Sequence, residues 1–326
     1  MPDRLEPPFP TAPEGGPLRL AFVGQQTFFR ACAMDEDSPR IRTLFIEFRE
    51  GRDPALMRSQ LDAFAPHAVV VFRPETLPAG LLADLPAPIV GFLTEPISRA
   101  AADGSALHWD LEKRRRDVAR LDRANVDRIV SFDPLIVPTV DEVMDVWRSL
   151  PIPVSDRLYR PVTRHDGPPR MLFVGRSTVH RERWLRDVKH RFDCLHVAFG
   201  IQAAELERLL DRHEITFNIH NEPYPSFENR VLLHLAAGHL VISEPLSPTH
   251  GLEPGFDYLE VGDPDALLAA ATAAHADPES VLRIRVRGRQ KAELVRASRV
   301  WPALVRDLFL DLAAFGTHRA ATPVAA

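Results

Sequence analysis

The same opening phrase occurs once in each half of this chain: Arg19-Leu-Ala-Phe-Val-Gly24, and later Arg170-Met-Leu-Phe-Val-Gly175. A short apolar run that closes on a glycine and gives way to a polar, helix-compatible stretch is how a buried parallel strand opens a βα unit. The glycine lets the backbone turn sharply into the helix. Two copies predict two α/β units, each with its own sheet. Ligands of such sheets collect at the carboxyl ends of the strands, so both glycine turns are expected on the walls of a cleft between two domains. The length agrees, since 326 residues exceed the usual size of one core.

Strand-like runs follow the first copy at 18–23, 43–48, 68–72, 89–93 and 128–132, separated by stretches such as 54–64 and 109–124 with helical spacing. After the second copy, at 171–174, strands are expected at 194–198, 215–219, 240–243 and 256–261. Helices are expected at 181–192, 203–212, 227–237 and 263–274, with Gly238 ending the third and Asp263 capping the fourth. This alternation predicts two Rossmann-like domains with parallel sheets facing an interdomain cleft. Proline punctuates the rest. Residues 1–16 are too poor in large apolar groups to offset their ordering entropy and read as a tail. The first domain then spans 17–150, a proline-rich linker 151–169, and the second domain 170–298. An amphipathic helix at 299–316, with Trp301, Leu304, Leu308 and Leu312 on one face, is expected to return to the N-terminal domain, leaving 317–326 as a tail.

Composition excludes several classes. A formal charge of -5 offers no electrostatic footprint for nucleic acid. Cys32 and Cys194 stand in neither a metal-ligand nor a redox spacing, which fits a reducing compartment. With no secretory h-region and no apolar stretch long enough for a transmembrane segment, a cytoplasmic protein is expected. Neither glycine turn carries the further glycines of G-x-G-x-x-G, which argues against a dehydrogenase.

The stretch from Asn229 through Arg230, Ala236-Ala-Gly238 and Ser243-Glu-Pro245, continuing to Leu252-Glu-Pro-Gly255 and Asp263-Pro-Asp-Ala-Leu267, resembles the donor-binding half of GT-B glycosyltransferases. It is most similar to the bacterial group related to the spore maturation protein CgeB, within the wider set of glycosyltransferase families 1 and 4. Vaguer similarity runs through Val71-Phe-Arg-Pro-Glu75 and Gly91-Phe-Leu-Thr-Glu-Pro96. The resemblance implies an N-terminal acceptor domain and a C-terminal donor domain. It implies metal-independent transfer of a sugar from a nucleotide-diphosphate sugar to a hydroxyl of a small-molecule, glycan or protein acceptor, with no cofactor. One position departs from the pattern: five residues before Gly238, where the family carries a ribose-binding glutamate, this chain has Leu233. A non-catalytic binding or assembly module of the same fold is the alternative.

A leaving diphosphate needs cationic groups and amide donors. Gly175, Arg176, Ser177 and Thr178, ahead of a helix, form a candidate anion site, with Arg230 on the next helix. Arg176 is alternatively a solvated surface arginine, and His180 and Arg181 are further candidates. In the loop that follows, Asn221 and Glu222 suit sugar hydroxyls, and His220 suits a phosphate contact or a proton carrier. The bland alternative is a proline-stiffened turn. Glu228, expected in the first helical turn, is either a cap or a substitute ribose ligand. On the acceptor side, Gly24, Gln25 and Gln26 follow one strand and Glu95 another; Glu95 is the candidate base or a cap, with Glu75 and Asp133 competing. No metal-ligand spacing is present, so no metal is expected.

Overall fold

The computed structural model describes residues 15–34, 38–97, 99, 109–163, 167–198, 203–317 and 319. Most of the expected N-terminal tail, positions 164–166 of the linker and the chain from 320 onward lie outside the described residues. The chain divides into two compact units, one running to Ile152 and resuming at Ala297, the other from Pro153 to Arg296.

The first unit is built on six parallel strands: β1 (Leu18–Gly24), β2 (Ile41–Glu47), β3 (Ala68–Phe72), β4 (Ile89–Leu93), β5 (Arg128–Ser131) and β6 (Val146–Ser149). Their order is β2-β1-β3-β4-β5-β6. β3 and β4 are buried along their whole length, which is why they are uninterrupted apolar runs rather than alternating ones. The helices are α1 (Gln26–Phe29), α2 (Pro54–Phe64), α3 (Trp109–Val118) and α4 (Val137–Val140). Asp53 starts α2 by accepting the Ala55 N–H at 2.9 Å, with Pro54 in the first turn.

The second unit repeats the plan with β7 (Met171–Val174), β8 (Cys194–Val197), β9 (Ile215–Asn218), β10 (Leu240–Ser243) and β11 (Leu259–Glu260), ordered β11-β10-β9-β7-β8. In both units the opening strand sits between the second and the third. That arrangement makes the carboxyl ends of β1/β3 and of β7/β9 the points where the strand order reverses. Helices α5 (Val179–Arg191), α6 (Ala203–Leu210), α7 (Arg230–Ala236), α8 (Pro264–Ala276) and α9 (Leu282–Ala292) accompany this sheet. Phe173, Leu185, Phe217, Ile242 and Leu267 are among the residues of its core. Asp263 caps α8, as expected, through the Ala266 N–H at 2.8 Å. α7 is shorter than its pattern suggested, beginning at Arg230 rather than Phe227. It ends as expected at Gly238, whose φ of 76° suits a glycine. There the Gly238 N–H reaches the Leu235 carbonyl at 2.9 Å and the His239 N–H reaches that of His234 at 3.0 Å.

The first unit is completed by α10 (Ala297–Phe315). Trp301 is fully buried, edge-on to Phe22, Phe72 and Phe92 with ring centroids 5.3, 5.9 and 5.8 Å away, and its indole N–H donates to the Cys32 carbonyl at 2.8 Å. Further along, Asp311 accepts from Arg128 Nε at 2.6 Å and from Trp147 Nε1 at 3.1 Å. The chain beyond the helix is anchored where a tail was expected. The Thr317 hydroxyl bonds to Asp127, and Arg319 donates to Asp127 at 3.0 Å and to the carbonyls of Leu82, Leu85 and Ala87.

Candidate functional site

In the second unit β7 and β9 end side by side, and three arginines gather at that point. Gly175 closes β7: its N–H bonds to the Val197 carbonyl at 2.9 Å, and its own carbonyl lies 2.7 Å from His196 Nε2. Its backbone is therefore committed to the sheet rather than offered to a ligand. The missing side chain does a different job, because a Cβ here would lie 3.1 Å from Arg230 Nη2 and 3.3 Å from Arg181 Nη1. Glycine lets two guanidiniums lie against the strand end. Both also stand over the Phe173 ring, at 5.5 Å for Arg181 and 5.3 Å for Arg230.

Arg181, in the first turn of α5, is the centre of the cluster and is only 2% exposed. Its Nε donates to the Ile219 carbonyl at 3.0 Å, and its Nη1 donates to the Arg176 carbonyl and the Asn221 Oδ1, both at 3.2 Å. Burial, followed by the neighbouring Arg230, pushes its guanidinium down to about 9. Arg230 Nη1 donates to the Ile219 carbonyl at 3.1 Å, and the exposed Arg176 donates from Nε to Asn221 Oδ1 at 2.9 Å. Glu228 spans the inner pair, with Oε1 3.4 Å from Arg181 Nη2 and Oε2 3.3 Å from Arg230 Nη2. Three guanidiniums outnumber the two carboxylates that act on Arg181, the bridging Glu228 and Glu244, so this strand end carries net positive charge, the condition for holding an oxyanion.

Several expected roles change. Thr178 spends its hydroxyl on the Asn221 carbonyl at 2.9 Å and on capping α5 through the Arg181 N–H at 3.2 Å, and the Ser177 hydroxyl bonds to Glu182. His220 is 3% exposed, with Nε2 3.0 Å from the Pro245 carbonyl and Nδ1 3.1 Å from the Ser226 hydroxyl. Both ring nitrogens are thus engaged in tying the loop together, and burial lowers its pKa. Glu228 lies ahead of α7 and pairs with arginines. Asn221 joins the cluster through its amide oxygen, while Glu222 and Leu233 are half-exposed. His180 turns to a partner that the sequence did not suggest, with Nε2 at 2.9 and 3.1 Å from the Glu244 oxygens. Glu244 also accepts the His220 N–H at 2.6 Å.

In the first unit, the acceptor-side candidates sit at strand ends as expected, but amid arginines that sequence reading passed over. Glu75 is 3% exposed and accepts from Arg73 Nε at 3.0 Å, while burial raises it above the usual carboxylate range. Asp133 is equally buried. It caps the turn that follows through the Leu135 N–H at 2.8 Å and pairs with Arg99 at 3.1 Å, burial again raising it. Glu95 is the most accessible of the three, held by Arg114 at 3.1 Å and facing Arg73 at 3.8 Å. Gly24 is buried, where a Cβ would press on Phe72 at 3.0 Å. Gln26 spends its N–H on Glu47, and the Gln25 carbonyl accepts from Phe28 and Phe29, so these two positions build α1. Among the described residues no three His, Cys, Asp or Glu side chains gather as metal ligands, and no helix is long and apolar enough to cross a membrane.

Two parallel sheets of this order, each in its own α/β unit, are the GT-B glycosyltransferase architecture. Solved structures with this likeness include sucrose-phosphate synthase from Thermosynechococcus elongatus, with a TM-score of 0.54 and 12% identity over 91% of this chain and 99% of that one. Anabaena HepE in complex with UDP-glucose matches with a TM-score of 0.53 and 8% identity over 91% of this chain and 100% of that one. The UDP-forming α,α-trehalose-phosphate synthase from Burkholderia vietnamiensis matches at 0.52 and 11% identity over 90% and 100%. No family model matches the chain, and no curated protein matches it. The chain thus resembles nucleotide-sugar glycosyltransferases in structure at low sequence identity.

Proposed function

We propose that this chain is a glycosyltransferase that moves a sugar from a nucleotide-diphosphate sugar to an acceptor hydroxyl without a metal ion, and that it belongs with the CgeB-like group. The observation that carries the reading is the arginine cluster at the β7/β9 switch point. As the sugar leaves, negative charge builds on the diphosphate. Fixed guanidiniums stabilise that charge without reorganising, which is the main electrostatic service asked of such a site. Arg176 and Arg230 are assigned to the diphosphate, Arg181 holds the loop carbonyls that position them, and Asn221 with Glu222 serves the sugar end. Glu95 is the proposed acceptor base, because Glu75 and Asp133 are shut away from solvent. Its Oε2 pairs with Arg114, which leaves Oε1, 3.8 Å from Arg73, to take the proton. Cys32 and Cys194 are both free thiols, which fits a reducing, cytoplasmic setting.

Charge-assisted contacts are worth roughly 1.5–3 kcal/mol each. Arg176→Ala and Arg230→Ala should therefore each weaken nucleoside-diphosphate binding about ten- to a hundredfold, with nucleoside binding little changed. Calorimetric titration checks this, and unchanged diphosphate affinity in both folded variants refutes the assignment. Leu233, an apolar side chain half-exposed on α7, favours the non-catalytic module as second reading. Absence of nucleotide and nucleotide-sugar binding by the folded protein would select it.

A further inference from the structure

The Glu228 carboxylate lies where a bound anion's oxygens would lie, one oxygen on each inner guanidinium. We propose that Glu228 sets the charge of the anion this site retains, favouring a diphosphate that still bears its sugar over the more highly charged free diphosphate. The inference rests on the donor reading above. Its geometry is specific: Oε1 faces Arg181 Nη2 at 3.4 Å and Oε2 faces Arg230 Nη2 at 3.3 Å. Both contacts are longer than the 2.7–2.9 Å typical of charge-assisted pairs, and the Glu228 side chain is 25% exposed, so an entering anion can reach the two guanidiniums from the carboxylate's side. Arg181 cannot yield, being 3% exposed at its side chain and tied to Ile219, Arg176 and Asn221.

An anion entering the cluster takes the Nη2 donors that Glu228 now occupies. The carboxylate then stays beside it as a negative neighbour, tethered one residue ahead of Asn229, the N-cap of α7. A diphosphate diester leaves this neighbour tolerable. Cleavage of the sugar bond gives the terminal phosphate an additional ionisable oxygen, and repulsion from Glu228 rises with it. The same carboxylate that bridges the inner arginines thereby works against retention of the free diphosphate. Removing its charge should remove that bias while leaving the three guanidiniums in place.

The intact protein and its Glu228→Gln and Glu228→Ala variants would be titrated calorimetrically at pH 8 and low salt with inorganic pyrophosphate, UDP and UDP-glucose. At an effective dielectric constant near 20, one charge a few ångströms away is enough to shift affinity by about tenfold or more. Both variants should bind pyrophosphate and UDP at least about tenfold more tightly, and UDP-glucose by a clearly smaller factor. Equal changes for all three ligands, or uniform weakening, would mean that Glu228 only braces the arginines; the charge proposal would fall while the donor reading stood. Binding of pyrophosphate alone, tightened in the variants, supports the charge role and sinks the nucleotide reading. No binding of any probe by any of the three proteins overturns both.

Discussion

Trp301→Ala should destabilise the first unit by about 3–5 kcal/mol, the range for removing a large aromatic side chain from a packed core. The indole is wholly buried, touches aromatic rings from β1, β3 and β4, and donates its N–H to the Cys32 carbonyl. Truncation leaves a cavity among the three phenylalanines and an unpaired carbonyl beside it. Trp301→Phe should lose less, because it keeps most of the ring volume and forfeits chiefly the hydrogen bond. Denaturant midpoints measure both. A loss below about 1 kcal/mol for the alanine variant would show that α10 contributes little to this core.

Acid should dismantle the second unit first. His234 and His239 are buried against each other, Nδ1 to Nδ1 at 3.0 Å, and His239 Nε2 is committed to the Leu210 carbonyl at 2.9 Å. His234 therefore donates from Nδ1 and carries no hydrogen-bond partner at Nε2. Burial lowers His239 to about 4, His234 well below its ordinary value, and His250 to about 4. Their unfolded counterparts titrate near 6.5. The unfolded chain thus binds protons first, so this stability is whole above pH 6.5 and is lost as pH falls toward 4. For His239 and His250 the loss is on the order of 3 kcal/mol each. Glu75 and Asp133 in the first unit have raised folded values and gain stability on acidification, the opposite sign. Urea midpoints at pH 7.5, 6 and 5, followed through Trp184 of the second unit, should fall in that order. A flat series would remove the histidines from the account.

Legibility in the sequence followed burial. β3 and β4 were readable to the residue because strands covered on both faces are continuous apolar runs. β6 was passed over: Val146-Trp-Arg-Ser is a half-exposed edge with a register shift, and no pattern marks it. α9 was also missed, since Leu282-Arg-Ile-Arg-Val-Arg alternates like a strand, yet Arg285, Gly288 and Ala292 are buried at helical spacing. Arg285 goes inside because its Nε donates to the Gly238 carbonyl at 2.9 Å, a partner remote in sequence. The candidate site divides in the same way. Arg176 and Arg230 were legible from their places beside strand and helix ends. The burial of Arg181 and His220 was not, because it depends on Ile219, Glu228, Ser226 and Pro245 closing around them.

The placement of α10 also orders events during synthesis. The first sheet is translated early, but the indole that fills the space beside Phe22, Phe72 and Phe92 leaves the ribosome only after every residue of the second unit. At about 5–20 residues per second, that leaves the aromatic face without its partner for on the order of ten seconds or more. The second unit is continuous in sequence and is under no such wait. The unit that begins the chain is therefore the last to be finished, and its exposed phenylalanines are where a nascent chain of this protein most needs shielding.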